Sequence, residues 1–135
     1  MKIVHFCLSN FFIDGRLYQE NELVREHARA GHDVLVVAST ETFDERGHTH
    51  YTQAREYVGV EGVRIIRLPY RRWMPSSVAR KIRSYPGVRK ILEDFAPDAI
   101  MFHGSAGWEL RTVAGYARAR SPACDRGPRT GPGWR

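Results

Sequence analysis

The sequence predicts an α/β fold, a doubly wound parallel sheet with helices on both faces, and three observations predict it. Four short runs, residues 2–7, 33–38, 62–69 and 99–102, are rich in β-branched and aromatic side chains. Their near-continuous hydrophobicity is that of strands covered on both faces. Segments with a helical period lie between them, and Gly31, Pro69 and Pro97 stand at the junctions where an element must stop.

The opening unit is strand, loop, helix, strand. Alternation along residues 2–8 sets Ile3, His5 and Cys7 on one face and Val4, Phe6 and Leu8 on the other. A polar loop follows and ends on Asp14-Gly15, a turn signal in which glycine supplies a positive φ or a close backbone approach. Residues 17–30 then read as a helix with Leu17, Leu23, Val24, His27 and Ala28 on its inner face. Glu22, Arg25, Glu26 and Arg29 fall outward. Their i,i+4 pairs are like-charged and their i,i+3 pairs opposite, so charge pairing adds little and the apolar face must hold this helix. Gly31 supplies its stop, and residues 33–38 form the next strand.

Residues 39–59 show no clear period. They predict a long excursion with a short helix near residues 51–57, and loops of that length are usually functional or mobile. Residues 62–69 form a third strand, stopped by Pro69. Ser76-Ser77 offers an N-cap for a helix through Ser84, with Val78 and Ile82 one turn apart. Pro86 can open the following helix, where Val88, Ile91, Leu92 and Phe95 repeat at i, i+3, i+4, i+7. Residues 99–102 form a fourth strand running into His103-Gly104-Ser105. Ser105 is placed to cap a helix over residues 107–118 with Leu110, Val113, Ala114 and Ala117 inward.

The whole is a Rossmann-like doubly wound sheet over residues 1–120, incomplete at its carboxyl end. A further apolar strand is due there. Instead, residues 121–135 hold three prolines and three glycines and almost no aliphatic side chain. Such a Gly/Pro/Arg-rich stretch builds no core. We expect a disordered tail from a frameshifted or truncated reading frame.

The length of 135 residues fits one domain, and a hydrophobic fraction of 42% suffices for a core. No stretch approaches the roughly 20 apolar residues needed to cross a bilayer, and the amino terminus turns polar too soon for a signal peptide. Cys7 lies in the first strand and Cys124 in the tail, so no disulfide is expected and a reduced cytoplasmic compartment is the default. The net charge of +6 is unevenly spread. Residues 62–92 carry nine basic residues and no acid, among them Arg71, Arg72, Arg80 and Lys81 beside Trp73. A basic block inside a near-neutral domain predicts a local anionic partner. Lacking any RNA or DNA motif, it does not predict nucleic acid.

The order of these pieces resembles the amino-terminal domain of a GT-B glycosyltransferase of the family 4 type. The match lies in Met1-Lys-Ile-Val-His-Phe, Asp14-Gly15, a helix closing on Arg29-Ala-Gly-His-Asp-Val-Leu-Val-Val-Ala38, then Gly62-Val-Arg-Ile-Ile-Arg-Leu-Pro69, and Phe95-Ala-Pro-Asp-Ala-Ile-Met-Phe-His-Gly104. The resemblance implies one half of a GT-B fold. It implies a two-domain enzyme that moves a sugar from a nucleotide-sugar to a glycan or lipid-linked acceptor. The amino-terminal half mainly holds the acceptor, and no cofactor is needed beyond the nucleotide-sugar donor. The donor would sit in a second domain bearing paired glutamates. No glutamate follows Glu109 here, so we expect the donor domain to be missing and this chain to be inactive alone. Where the family often shows two adjacent glycines, the first loop has only Asp14-Gly15-Arg16.

Ligands of open α/β sheets bind outside the carboxyl ends of the strands, which selects the candidates. His103 is the catalytic candidate: family members similar in this stretch place a histidine near the acceptor or transferred sugar, and an imidazole can donate to or polarise a hydroxyl. Gly104 and Ser105 accompany it as close backbone approach and helix cap. Gly15 and Arg16 are candidates for a phosphate or acceptor contact. Asn10, Tyr18 and Gln19 could bind sugar hydroxyls. Arg71, Arg72, Trp73, Arg80 and Lys81 are the membrane-surface candidates, as a basic and aromatic interfacial anchor. That would place the enzyme on the inner face of the membrane, where it would receive a lipid-linked acceptor. His48 and His50 match no metal-ligand spacing, and no metal is expected. The alternative is a free-standing Rossmann-like module for a nucleotide or phosphorylated metabolite. Against it, the first loop lacks Gly-x-Gly-x-x-Gly and no acid closes the second strand.

Overall fold

The computed structural model describes residues 1–44 and 46–120. Four strands, β1 (Lys2–Cys7), β2 (Asp33–Ser39), β6 (Arg64–Leu68) and β7 (Ala99–Phe102), run parallel, and β5 (Glu56–Val58) adds antiparallel to the edge of β6. The sheet order is β5-β6-β2-β1-β7. The chain therefore steps outward from β1 through β2 to β6, then returns to the other side of β1 with β7. That reversal opens a crevice at the carboxyl ends of β1 and β7, the place where such sheets take ligands.

The two faces of β1 feed two cores, as its alternation predicts. Val4, Phe6 and Leu8 join Leu35 and Val37 under α3 (Val88–Phe95) and α4 (Glu109–Arg120), which contribute Val88, Leu92, Phe95, Val113 and Tyr116. Cys7 joins Val34, Val36, Ala38 and Ile65 under α1 (Gln19–Arg29), through Val24 and Ala28. Each fully buried valine, leucine or phenylalanine contributes about 1.5–3 kcal/mol as an upper figure. Charge pairing on α1 follows the expected i,i+3 pattern, Arg25 with Glu22 at 2.8 Å and Arg29 with Glu26 at 2.9 Å. Arg25 also reaches Glu61 at 2.6 Å and ties the helix to the turn after β5.

Several expectations need correction. Residues 51–57 form no helix. β3 (Glu41–Phe43) pairs antiparallel with β4 (Thr49–Tyr51), and β5 covers the edge of β6. Glu41 and Thr42 of β3 are buried, whereas β4 and β5 are largely exposed and are defined by backbone pairing. Leu17 precedes α1 and is exposed, while Asn21 is buried on the inner face and donates to Ile13 O at 2.9 Å. The helix after the basic segment, α2, spans Ser76–Ile82 with Pro75 in the cap position, and it ends before Ser84 with Arg83 in the left-handed region. α4 starts only at Glu109, beyond reach of a Ser105 cap, and turns Tyr116 inward where Ala117 was expected. The expectations for the tail and Cys124 fall outside the described residues.

Candidate functional site

Two side chains from opposite faces fix the carboxyl end of β1. Tyr85, wholly buried, donates its hydroxyl to Leu8 O at 3.0 Å. Arg67, on β6, is also buried. Its Nη1 donates to Phe12 O at 2.9 Å and Ser39 O at 3.0 Å. The loops leaving β1 and β2 are thus tied together by one guanidinium, whose charge strengthens both hydrogen bonds. On the other side, His103 N donates to Phe6 O at 2.9 Å and extends the β1–β7 ladder by one residue.

Beyond that ladder, Ser9 and the segment 104–107 lie in direct contact. Gly104 has φ 99°, and a Cβ built there would lie 2.8 Å from Ser9 Cβ and 3.4 Å from Asn10 Oδ1. Gly107, at φ 132°, would place a Cβ 3.1 Å from Ser9 Oγ. Ser9 Oγ donates to Ala106 O. Glycine is needed at 104 for both reasons at once: the backbone conformation disfavours a side chain, and the opposite strand end leaves no room for one.

A cavity of about 300 Å³ opens beside this contact, lined by Ser9, Asn10, Phe11, Ile13, Tyr18, Glu20 and Phe43. A second of similar size shares Ile13, Tyr18 and Phe43 and adds Arg16, Asp44 and Gly47. The first loop and the β3–β4 hairpin therefore form one aromatic, polar-tipped groove. Asn10 Nδ2 donates to Glu20 Oε1 at 2.8 Å within it.

The predicted residues fall into four groups. Asn10, Arg16 and Tyr18 line the groove. His103 and Gly104 line neither cavity: Gly104 packs against Ser9 and Asn10 beside the first, and His103 lies near enough to Glu20 that the carboxylate partly offsets the fall in its pKa caused by burial. Gln19 and Ser105 are exposed, the first opening α1 and the second in the turn after β7. Gly15 lies apart from these: Asp14 accepts from Val60 N at 3.2 Å, and a Cβ on Gly15 would face Val60 Cγ2 at 3.4 Å.

Two histidines not singled out as site residues join His103. His5, on β1, is fully buried, with Nδ1 2.9 Å from His103 Nε2 and Nε2 3.0 Å from His27 Nδ1 on α1. Burial, and then the two neighbouring rings, lower its pKa to about 3. The signal was present in sequence: the Ile3–Cys7 face of the first strand and the inner face of the first helix each carry one histidine. Among the described residues no group of three His, Cys, Asp or Glu side chains is arranged to hold a metal ion.

The basic segment divides in the same way. Arg71 is turned inward, contrary to its place among the membrane-surface candidates. It donates to Ser84 Oγ at 2.8 Å and Tyr85 O at 3.2 Å, and it lies 3.5 Å from the buried carboxylate of Glu109. Arg64, Arg83, Arg89 and Lys90 each pair with a carboxylate. Arg72, Arg80 and Lys81 are exposed without an acidic partner among the described residues, next to Trp73, which is 74% exposed. No helix among the described residues is long and apolar enough to cross a membrane.

Residues 20–126 match the family of glycosyl transferase 4-like domains. No curated protein and no solved structure matches the chain.

Proposed function

The chain belongs to the glycosyl transferase 4-like family, and from that membership we propose that its domain forms the acceptor side of a cleft in which a sugar leaves a nucleotide-sugar. The observation that carries this reading is the groove at the carboxyl ends of β1 and β7. It offers aromatic surfaces from Phe11, Phe43 and Tyr18, with polar tips from Asn10, Glu20 and Arg16. Ligand sites of this kind bury an apolar body and fix it by a few placed polar groups, and a pyranose has both an apolar face and a ring of hydroxyls. His103, at the edge of the groove, is held largely neutral at pH 7 by its lowered pKa. A neutral imidazole both accepts and donates, so it can bind an acceptor hydroxyl or take its proton.

The donor nucleotide, in this reading, is held by a second domain, and residues 1–120 alone transfer no sugar. The acceptor is a glycan or lipid-linked sugar presented at a membrane surface, and Arg72, Trp73, Arg80 and Lys81 are the residues that meet the anionic headgroups. What supports this is their exposure and lack of carboxylate partners, while Arg64, Arg71, Arg83, Arg89 and Lys90 each lie beside a carboxylate and Arg67 is held by backbone carbonyls.

Titration of the isotope-labelled chain by NMR tests the reading. Simple glycosides are expected to move the amides of residues 9–11, Glu20 and His103 saturably, and nucleotide-sugar is expected to remain unconsumed. Shifts in this loop with a dinucleotide but not with glycosides would overturn it in favour of a nucleotide-binding module.

A further inference from the structure

A buried imidazole placed between two others has a chemical consequence. His5 has no other side-chain hydrogen-bond partner among the described residues. Its ring nitrogens meet only His103 Nε2 at 2.9 Å and His27 Nδ1 at 3.0 Å. Val36 and Met101 flank it in register on β2 and β7. A neutral imidazole carries one donor and one acceptor nitrogen, so each contact needs a donor on one side and an acceptor on the other. Only two arrangements satisfy all three rings. In one, His103 Nε2–H donates to His5 Nδ1, and His5 Nε2–H donates to His27 Nδ1. In the other, both bonds run the opposite way. The tautomer of any one ring dictates the other two.

We propose that His103, His5 and His27 act as one proton line, which links the cleft end of β7 to the outer helix α1 and sets whether His103 Nδ1 accepts or donates. In the first arrangement His103 Nδ1 is bare and can accept a proton from a sugar hydroxyl. The O–H bond breaks as an Nδ1–H bond forms, and the freed electron pair of the oxygen bonds to the anomeric carbon of the donor sugar, whose bond to the nucleotide phosphate breaks with its electrons leaving on the phosphate. The Nε2 proton of His103 passes to His5 Nδ1, the Nε2 proton of His5 passes to His27 Nδ1, and the Nε2 proton of His27 leaves to solvent. One proton enters and one departs, and the line ends in the second arrangement with no net charge left on the three rings. A line is required because His5 resists holding charge: burial and its two ring neighbours depress its pKa. His5 and His27 are positioning residues here, since each acts on the hydroxyl only through His103. The role of His103 toward a hydroxyl rests on the acceptor-site reading above, whereas the coupling of the three tautomers does not.

Imidazole nitrogen chemical shifts of the full chain, recorded without ligand, test the coupling. The three rings are expected to report matched tautomers. His27→Phe, on a half-buried helix position, is expected to change the His103 tautomer ratio at least about threefold, the order of effect expected from losing one buried hydrogen bond, although His27 and His103 do not touch. His32→Gln, beside His27 without a hydrogen bond to it, is expected to leave the ratio unchanged. His5→Gln is expected to uncouple His27 from His103, so that His27→Phe has no effect in that background. A His103 tautomer ratio indifferent to His27→Phe, in a variant whose amide spectrum shows an intact fold, would overturn the proposal. Because no sugar is present, that result would leave the acceptor-site reading standing, and a failed glycoside titration would leave the coupling standing.

Discussion

Replacing Gly104 by alanine tests how the two strand ends that frame the cleft are joined. Two separate costs follow from the geometry. The backbone at φ 99° lies where a side chain is rarely found, a strain of about 1–3 kcal/mol. The new Cβ also meets Ser9 Cβ at 2.8 Å, closer than carbon atoms approach without displacement, and overpacking of this kind costs about 1–3 kcal/mol. The sum, about 2–6 kcal/mol, is a large part of the stability of a domain this size. Ser9→Gly separates the two. Alone it removes the bond from Ser9 Oγ to Ala106 O and is expected to cost about 0.5–1.5 kcal/mol. In the Gly104→Ala background it removes the clash and should restore at least about 1 kcal/mol, leaving only the conformational part. Urea unfolding of the four proteins gives the coupling energy directly. A Gly104→Ala cost under about 0.5 kcal/mol, or one that Ser9→Gly leaves unchanged, would refute the contact between β1 and β7 as drawn.

Three further outcomes are expected. Glu109 is 1% exposed and accepts from Tyr85 N at 3.0 Å and Thr112 Oγ1 at 2.9 Å, with Arg71 at 3.5 Å; Glu109→Ala should cost about 2–4 kcal/mol in the same unfolding assay, because it leaves buried donors unpaired. Stability should fall with acid. His5 and His103 have folded pKa values below their unfolded value of 6.5, so their contribution is complete above pH 6.5 and is lost as pH falls below it; for His5 the loss continues to about pH 3, with a slope near 1.4 kcal/mol per pH unit. His5→Gln should flatten the stability–pH curve in that window, and an unchanged curve would contradict a buried neutral His5. Co-sedimentation with anionic vesicles should occur at low salt and disappear in Arg80→Glu/Lys81→Glu, since each basic residue at such a surface is worth about 1 kcal/mol; equal sedimentation with neutral vesicles would contradict an electrostatic contact.

The parallel core was legible in the sequence because its signal is local. β1, β2, β6 and β7 are apolar runs, and the Val88–Phe95 period names a helix face that the fold buries. Residues 39–61 were not legible, because three-residue strands such as Thr49–Tyr51 owe their shape to partners elsewhere in the chain. Charged residues misled for a related reason. Arg71 was expected at a membrane surface, yet it is held, like Arg67 and Glu109, where carbonyls and amides of distant loops meet. The groove was half legible. Asn10, Arg16 and Tyr18 flank a loop that any open sheet would mark, whereas Phe43 arrives from a hairpin the sequence does not announce. His5 and His27 each looked like an ordinary inward residue, and only the folded chain brings them to His103, 98 and 76 positions away in sequence.

The central claim is that the groove beside His103 binds a sugar acceptor. Its most direct test is the affinity of a simple glycoside for the folded chain and for His103→Ala, measured by NMR titration with the amide of Val36, buried in β2, as a marker of the intact fold. The prediction is saturable binding that weakens by about tenfold in the variant, the loss expected for one or two hydrogen bonds to the ligand. Equal affinity in the two proteins, or no glycoside binding to either while the fold is intact, would contradict it.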